Sequence, residues 1–361
     1  MKASTVETHE VAARIASLPR SARFDHQPMV PAEGGWPVEV PPFRDERFRS
    51  LWHRVLHVLM RAAQRSVFVL PGFLQEAVIG TLAFGGRIFD RRHTAAARDY
   101  ITSALPSASE AEVRSLIKKG WRHLLRMALV SEGVSDALMG NRLGEHYDVY
   151  MEPESEAAIA EIESAIFVTA HAGYWEACAP GLIGLGLPAS YAIGKAPRND
   201  FVAQHIQRMR EDQGILLIPR TGAMSVVPAA LRERATVGML LDHRPRQKPV
   251  TAPFFGRPAA CDRSAGVLIR RVKVPLIFYA CYSVPGTDPL DNWRFELRIT
   301  RVVQPEELSG LSPEEIATVV NRELEGLILH RPDEVFWLHD RFKGASAPVR
   351  PTNPSSGPQP I

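Results

Sequence analysis

The sequence predicts an α/β fold in which a central, mostly parallel sheet is covered by helices. Short runs rich in apolar and β-branched residues alternate with helix-like segments over the second half of the chain. These runs are almost continuously apolar, which is typical of strands that are buried on both faces of a sheet. The four clearest predicted strands are residues 164–170, 214–219, 236–241 and 274–282.

The composition is that of an ordinary folded protein. Of the 361 residues, 45% are hydrophobic and 23% are charged, so the chain can bury a sizeable core. The formal net charge of +3 is too small to indicate a protein that binds nucleic acid. The 3 cysteines form no C-x-x-C pair, which disfavours a disulfide framework and fits a reducing compartment. The N-terminal residues lack the apolar run of a secretory signal, so we expect the protein to remain inside the cell or attached to its membrane.

The chain divides into four segments by composition. Residues 1–45 and 344–361 are rich in Pro, Gly or Ser and lack a sustained period, so we expect two flexible tails. Residues 46–105 are basic and apolar, and they are expected to form a helical segment. Residues 106–343 carry the alternating pattern of the α/β domain.

The basic segment predicts contact with a membrane. Its residues 66–89 are mostly apolar but are interrupted by Pro71, Glu76 and Arg87. A membrane-spanning helix needs about 20 apolar residues with few charges, so two apolar or amphipathic helices lying in or on a membrane are the better interpretation. The flanking arginines would be attracted by anionic lipid. The alternative is a helical hairpin buried inside a soluble protein.

A long helix is predicted after the basic segment. Ser109 and Glu112 have the S-x-x-E spacing of a capping box, and apolar residues recur at helical spacing as far as Val130. A helix that begins here would extend for about five turns.

A histidine and a carboxylate follow the predicted strand at 164–170. His171 stands at the strand exit, and Glu176 completes an H-x-x-x-x-E pattern at the start of a helix-like segment. A carboxylate in this position can orient the imidazole and stabilise its protonated form, so the pair is a candidate general base for a hydroxyl group. No serine or cysteine nucleophile is needed if the donor substrate already carries an activated acyl group, because the acceptor hydroxyl can then attack the thioester directly. Gly173 would allow a backbone amide to approach the developing oxyanion.

The motifs of several other enzyme classes are missing from the sequence. It contains no H-E-x-x-H, no G-x-S-x-G and no G-x-x-x-x-G-K-[ST], and the glycines of residues 181–186 lack the dinucleotide-binding spacing. No metal-ligand pattern is visible, so we expect chemistry that uses neither a metal nor another cofactor.

Four sequence blocks, taken in order, resemble one known family. They are FVTAHAGYWE at residues 167–176, GMLLDHRP at 238–245, APFFGRPAACDRSAG at 252–266 and WLHDRFK at 337–343. Together they resemble the bacterial lipid A biosynthesis lauroyl/myristoyl acyltransferases, which are related to the phosphatidylinositol mannoside acyltransferases, over about residues 66–343. The resemblance implies the glycerolipid acyltransferase-like form of the α/β fold.

The resemblance also implies roles for particular residues. In that family the histidine and the acidic residue of H-x-x-x-x-D/E form the catalytic dyad, and these are His171 and Glu176 here. Asp242 stands where the family usually has an Asp-Gln pair, so His243 replaces the glutamine. The family also has an arginine-bearing segment after the next strand, whose cations would bind a phosphate of the acceptor or donor. The candidates here are Lys195, Arg198 and Arg208.

Two further blocks have roles that the sequence leaves open. Phe254 and Phe255 lie in a predicted turn, with at least one of them expected in the core and either one able to face an acyl chain. His339 and Arg341 are similar to the C-terminal His-x-Arg of the family. They either contact substrate or pack against the sheet.

The resemblance implies a membrane-associated acyltransferase. It would move a fatty acyl group from a thioester, on acyl carrier protein or coenzyme A, to a hydroxyl of a glycolipid or phospholipid such as a lipid A precursor. His171 would take the acceptor proton, Glu176 would hold His171, and Asp242 with the cations would position the head group. The implied location is the cytoplasmic face of the bacterial inner membrane. Two alternatives stay open: a non-catalytic, membrane-peripheral lipid-binding protein on the same fold, and a soluble hydrolase that uses His171 in a triad.

Overall fold

The structure, a computed structural model, describes most of the chain between residue 50 and residue 344. The described residues are 5–6, 38, 40, 50–138, 146–160, 162–184, 191–212, 214–245, 247–284 and 294–344. The two predicted tails, 1–45 and 344–361, lie almost wholly outside the described residues.

The centre of the fold is a mostly parallel sheet of seven strands flanked by helices, which confirms the predicted fold class. The strands are β1 (Thr5–Val6), β2 (Tyr147–Met151), β3 (Ala165–Thr169), β4 (Tyr191–Gly194), β5 (Leu216–Pro219), β6 (Thr236–Leu240), β7 (Val250–Phe254), β8 (Arg257–Cys261), β9 (Leu276–Ser283) and β10 (Phe295–Val303). Their order across the sheet is β2-β10-β9-β3-β6-β4-β5, with the two-residue β1 added beside β2. Among the described strands of this sheet, β9–β10 and β1–β2 pair antiparallel and the other pairs are parallel, while β7 and β8 form a separate antiparallel hairpin.

Ten helices surround the sheet in the described part of the chain. They are α1 (Leu51–Phe68), α2 (Gly72–Phe89), α3 (Arg91–Ala104), α4 (Glu110–Leu138), α5 (Pro153–Ala160), α6 (Trp175–Gly184), α7 (Asp200–Asp212), α8 (Ala223–Arg232), α9 (Arg263–Val272) and α10 (Pro313–His330). The capping box before α4 is confirmed, because the Ser109 Oγ accepts from the Glu112 amide at 3.3 Å and the Glu112 carboxylate accepts from the Ser109 amide at 2.7 Å. The helix itself has 29 residues and is longer than predicted.

Side chains of β3 enter two different core clusters, which explains why its sequence is apolar throughout. Ile166 and Val168 belong to a cluster on one face of the sheet, whereas Ala165 and Phe167 belong to a cluster on the other. Because both faces are covered with apolar side chains, polar groups that depend on this strand must lie at its ends.

The basic segment forms three helices, and all three pack against α4. The side chain of Phe68 at the end of α1 lies over Gly133, and the Glu76 carboxylate of α2 binds Arg122 and Arg126 of α4. Among the described residues, no helix is both long enough and apolar enough to cross a membrane.

Gly85 and Gly86 are neighbours on α2 and provide a matched test of this packing. A Cβ at position 86 would lie 2.6 Å from Cζ3 of Trp121 on α4, whereas nothing lies within 4 Å of a Cβ at position 85. We expect Gly86→Ala to lower the free energy of unfolding by about 1–3 kcal/mol through overpacking. Gly85→Ala should raise it by about 0.5–1 kcal/mol, because alanine is the better helix former. Equilibrium urea unfolding measures both changes, and equal effects would contradict the packing of α2 on α4.

Candidate active site

His171 lies at the carboxyl end of β3, where the neighbouring strand β6 also ends. The two strands are parallel and pair residue by residue from Ala165–Thr236 to Thr169–Leu240. The two residues that follow each strand therefore come together. The Asp242 Oδ1 lies 2.7 Å from the His171 Nδ1, and its Oδ2 accepts from the His171 amide at 2.9 Å. One carboxylate thus holds both the ring and the main chain of His171.

The environment of Asp242 keeps this carboxyl ionised. Burial alone would raise the pKa of Asp242, but the His171 charge and the hydrogen bonds from His171 hold it well below its usual value. Only 19% of the His171 side chain and 7% of the Asp242 side chain are exposed. The imidazole is therefore reachable, whereas its partner is shielded from solvent. A histidine held in this way on a buried carboxylate can act as a general base at its other nitrogen.

Two more histidine rings lie in a row beside that of His171. The ring of His243 is nearly parallel to that of His171, with centroids 3.9 Å apart and planes at 7°. His339 lies 4.2 Å from His243, and its Nε2 accepts from the Arg244 amide at 2.9 Å. Burial and the nearby His171 charge lower the pKa of His243 to about 3 despite Asp242, and burial lowers the pKa of His339 to about 4. Both rings are therefore neutral near pH 7.

The arrangement of these side chains suits hydrogen bonding better than metal binding. Potential ligand atoms of His171, Asp242 and His243 lie within 4.8 Å of one another. However, the Nδ1 of His171 is taken up by Asp242, and the two stacked rings direct their in-plane lone pairs side by side. Metal ligands must converge on one point, so we derive no metal site from this cluster.

The backbone of the turn after His171 is hydrogen-bonded to two neighbouring segments. Gly173 has a φ of +65°, and a Cβ there would lie 2.0 Å from the carbonyl oxygen of Cys281, so only glycine fits. Its amide donates to the carbonyl of Glu334 at 2.7 Å, and the amide of Tyr174 donates to that of Cys281 at 2.6 Å. The amides of Gly173 and Tyr174 therefore both have carbonyl partners, and the expectation that a backbone amide approaches the oxyanion here stays a prediction.

Glu176 is not the carboxylate that holds His171. It begins the helix α6, and its carboxylate binds the guanidinium of Arg210 on α7 at 2.6–2.7 Å. Both side chains are mostly buried, with 15% and 18% exposed. The pair joins the helix that follows His171 to a neighbouring helix. The expected contact between Glu176 and His171 is thus replaced by the Asp242 contact, and a catalytic role for Glu176 stays a prediction.

Two of the three predicted cations follow a strand at the same edge of the sheet. Lys195 and Arg198 follow β4, whose neighbour β6 leads to Asp242, and both are exposed. Arg208 is exposed on α7. Two further arginines were not among the predicted residues: Arg220 follows β5, and Arg244 follows β6. None of these five cations has a carboxylate partner among the described residues.

The remaining blocks contribute mainly to packing. Phe254 is fully buried and Phe255 is partly buried, so the expectation of a core role for at least one is confirmed. Arg341 is buried, donates to the carbonyl of Ala260 and lies over the ring of Phe254. His339 is the outermost ring of the histidine stack, so it supports the site through His243.

The candidate site lies in a region of the chain that matches a known protein family. The family model for bacterial lipid A biosynthesis acyltransferases matches residues 44–344. The chain belongs to that family. No curated protein matches the chain at the threshold applied. Membership makes the protein an acyltransferase, and the matched region contains His171, Asp242 and all five cations. It also favours acyl transfer over the hydrolase alternative.

Two contacts of the candidate site, besides the positions of Arg220 and Arg244, were not predicted from the sequence. The first is the Asp242 contact, which was detectable in principle because Asp242 follows a predicted strand in the same way as His171. The second is Arg210, which is two positions from the predicted Arg208. Nothing in the sequence indicates which of these arginines faces Glu176, because that depends on how α6 and α7 pack.

Proposed function

We propose that the protein transfers a fatty acyl group from a thioester donor to a hydroxyl of a phosphate-bearing glycolipid or phospholipid, such as a lipid A precursor. The donor is an acyl carrier protein or coenzyme A. The observation that supports this most strongly is the His171–Asp242 pair at the end of two parallel strands, in a chain of the lipid A acyltransferase family. A general base without a serine or cysteine nucleophile beside it suits direct attack by the acceptor hydroxyl.

The proposed reaction needs one proton acceptor that later becomes a proton donor. The nitrogen of His171 that does not face Asp242 removes the proton of the acceptor hydroxyl while its oxygen attacks the thioester carbon. The carbon–sulfur bond then breaks, and the imidazolium returns the proton to the thiolate. The products are an ester and a free thiol, so protons and electrons balance. Asp242 stabilises the imidazolium between the two steps.

Lipid analysis tests this chemistry. We expect cells that carry the wild-type protein to contain a lipid heavier by one acyl group, and this species to vanish with His171→Ala. With purified protein, Asp242→Asn should lower kcat by about 10²–10⁴, because Asp242 orients the general base His171 and stabilises its protonated form. The exposed His93→Ala serves as the control and should keep wild-type activity.

Glu176→Gln, measured in the same assay, distinguishes the role of the Glu176 carboxylate from that of Asp242. This change leaves the largely buried Arg210 without its partner, so it should lower the thermal midpoint together with activity. Asp242→Asn keeping the wild-type rate would contradict the proposed base. If wild-type and His171→Ala proteins give identical lipids even with purified thioester and candidate acceptors, the lipid-binding alternative replaces transfer.

We propose that the exposed cations at this edge of the sheet bind a phosphate group of one substrate. Lys195, Arg198 and Arg220 follow two neighbouring strands at the edge that carries the histidine. Arg220 lies near enough to His243 for its charge to help lower the pKa of that ring. Exposed guanidinium groups that lack carboxylate partners are suited to phosphate, which they bind through paired hydrogen bonds.

Substitution of these cations should affect binding more than turnover. We expect Arg220→Ala or Lys195→Ala to raise KM about 10-fold or more for the substrate that carries the phosphate, because a hydrogen bond to a charged group is worth about 1.5–3 kcal/mol. Kinetics with the acceptor and the donor varied in turn identify which one this is. Arg271→Ala, an exposed arginine on α9 near the start of β9, is the matched control. An unchanged KM for both substrates would contradict the phosphate site.

The location at a membrane is proposed from the surface of α1 and α2. Large apolar side chains project into solvent from both helices and from the turn between them, and they include Leu51 (78% exposed), Trp52 (64%), Val69 (78%), Phe73 (73%) and Phe89 (87%). Exposed arginines accompany them, namely Arg54, Arg65, Arg91 and Arg92. Such a surface fits helices that lie in the interface of an anionic bilayer better than a buried hairpin. We propose the cytoplasmic face of the bacterial inner membrane.

Vesicle flotation tests the membrane surface. We expect Phe73→Ser combined with Phe89→Ser to weaken binding to anionic vesicles at least about tenfold, because each buried phenylalanine contributes about 1.5–3 kcal/mol. Leu329→Ser changes an exposed apolar residue of α10 and should leave binding unchanged. A wild-type protein that does not float with the vesicles, or a double variant that binds equally well, would overturn the assignment.

A further inference from the structure

A buried histidine lies behind the active site and has no part in the chemistry described above. His123 is on α4, and only 2% of it is exposed. Its Nε2 lies 3.1 Å from the carbonyl oxygen of Gly173, in the turn between His171 and α6. Its ring makes edge contacts with those of Tyr174 and Trp175, at centroid distances of 5.8 and 5.9 Å. One side chain from α4 therefore contacts three consecutive residues of the turn that carries His171.

The surroundings of His123 keep its ring neutral. Burial lowers the pKa of His123 to about 4, and the Arg126 charge acts in the same direction. The bond to Gly173 and the charge of Asp333 oppose this shift without outweighing it. A carbonyl oxygen can only accept, so the neutral ring carries its proton on Nε2. His123 thus supplies a single N–H donor and no charge.

We propose that His123 is a positioning residue that fixes the ring of His171 for proton transfer. The proposal rests on the acyl transfer proposed above. His123 acts along two paths: its N–H holds the peptide that follows Gly173, and its ring supports Trp175. The ring of Trp175 lies 5.4 Å from that of His171, so it contacts both histidines. A misplacement of a catalytic group by about 1 Å can cost about 10²-fold in rate.

Ion pairs on both sides of His123 hold α4 in place. Arg122 and Arg126 precede and follow it on the helix, and both bind the carboxylate of Glu76 on α2. All three of these charged side chains are mostly buried, with 33%, 21% and 27% exposed. The donor to Gly173 is therefore on a helix that these ion pairs join to α2. The position of His171 depends on α4 as well as on the sheet.

Two substitutions distinguish the effect of the His123 N–H donor from the effect of the space that its ring fills. His123→Phe keeps a buried aromatic ring and removes the N–H, whereas His123→Gln keeps an amide donor. We expect His123→Phe to lower kcat about 10- to 100-fold with KM changed less than about threefold. His123→Gln should recover most of the lost kcat. His93→Gln, at an exposed histidine of α3, is the matched control and should retain the wild-type kcat and KM. Thermal midpoints measured on every variant show whether it is folded.

A second measurement uses the wild-type protein and needs no activity. The ¹⁵N shifts of histidine side chains report the tautomer, and we expect His123, assigned by its loss in His123→Gln, to carry its proton on Nε2 near pH 7. An unprotonated Nε2 overturns the proposal. A His123→Phe variant with the wild-type kcat also overturns it. The same holds if both variants lose kcat in proportion to the decrease in their thermal midpoints. An inactive wild-type protein with the expected tautomer would instead count against the acyl transfer itself.

Discussion

The contact between His171 and Asp242 depends on the parallel pairing of β3 and β6. The two residues are 71 positions apart, and no local structure brings them together. Because the strands are in register up to Thr169 and Leu240, the chain segments that leave them do so side by side. The second hydrogen bond, from the His171 amide, fixes the carboxylate against the main chain and not only against a mobile ring. The catalytic geometry is therefore a consequence of strand order.

The Asp242 carboxylate is a buried charge whose partner is His171. A buried carboxylate without a partner is unfavourable, and the hydrogen bonds from the His171 ring and amide hold Asp242 in its ionised form. In the proposed reaction, His171 becomes an imidazolium only after it has taken the acceptor proton. The stacked His243 lies so close to His171 that two adjacent positive charges would repel each other, and burial also disfavours a charge on His243. His243 and His339 therefore remain neutral and fill the space behind the base. A glutamine, which the family usually has at this position, is also neutral, so the replacement by His243 preserves the charge while adding an aromatic surface.

The elements that could be predicted from the sequence are those whose pattern is visible within a few consecutive residues. β3, β5, β6 and β9 are continuously apolar because both faces of the sheet are covered, and the capping box before α4 involves residues three positions apart. β2 and β10 were not predicted, because partly exposed residues interrupt their buried positions and weaken the apolar signal.

The carboxylate that orients the base could not be chosen by spacing. Glu176 is near His171 in the sequence, but helix α6 directs its side chain toward Arg210. Asp242 is distant in the sequence, but its strand is the immediate neighbour of β3. The strand exits were visible in the sequence, whereas the strand order was not. An interpretation based on the nearest carboxylate in the chain therefore selected a residue that stabilises the position of α6.

The strand order also sets how a substrate must extend across the site. His171 follows β3, Lys195 follows β4 and Arg220 follows β5, with β6 lying between β3 and β4. Neighbouring strands are about 4.8 Å apart, so the cations lie roughly 10–15 Å from the base along the edge of the sheet. At the cation end, the Asn199 side chain donates to the His53 carbonyl of α1, the helix with the exposed apolar side chains. In the proposed function, a phosphate at the membrane surface would therefore meet the cations beside α1, while the hydroxyl to be acylated extends along the strand ends to His171. In the proposed function, this arrangement would select acceptors that carry the phosphate by the distance between that phosphate and their hydroxyl, because the sheet sets the spacing of the cations from His171.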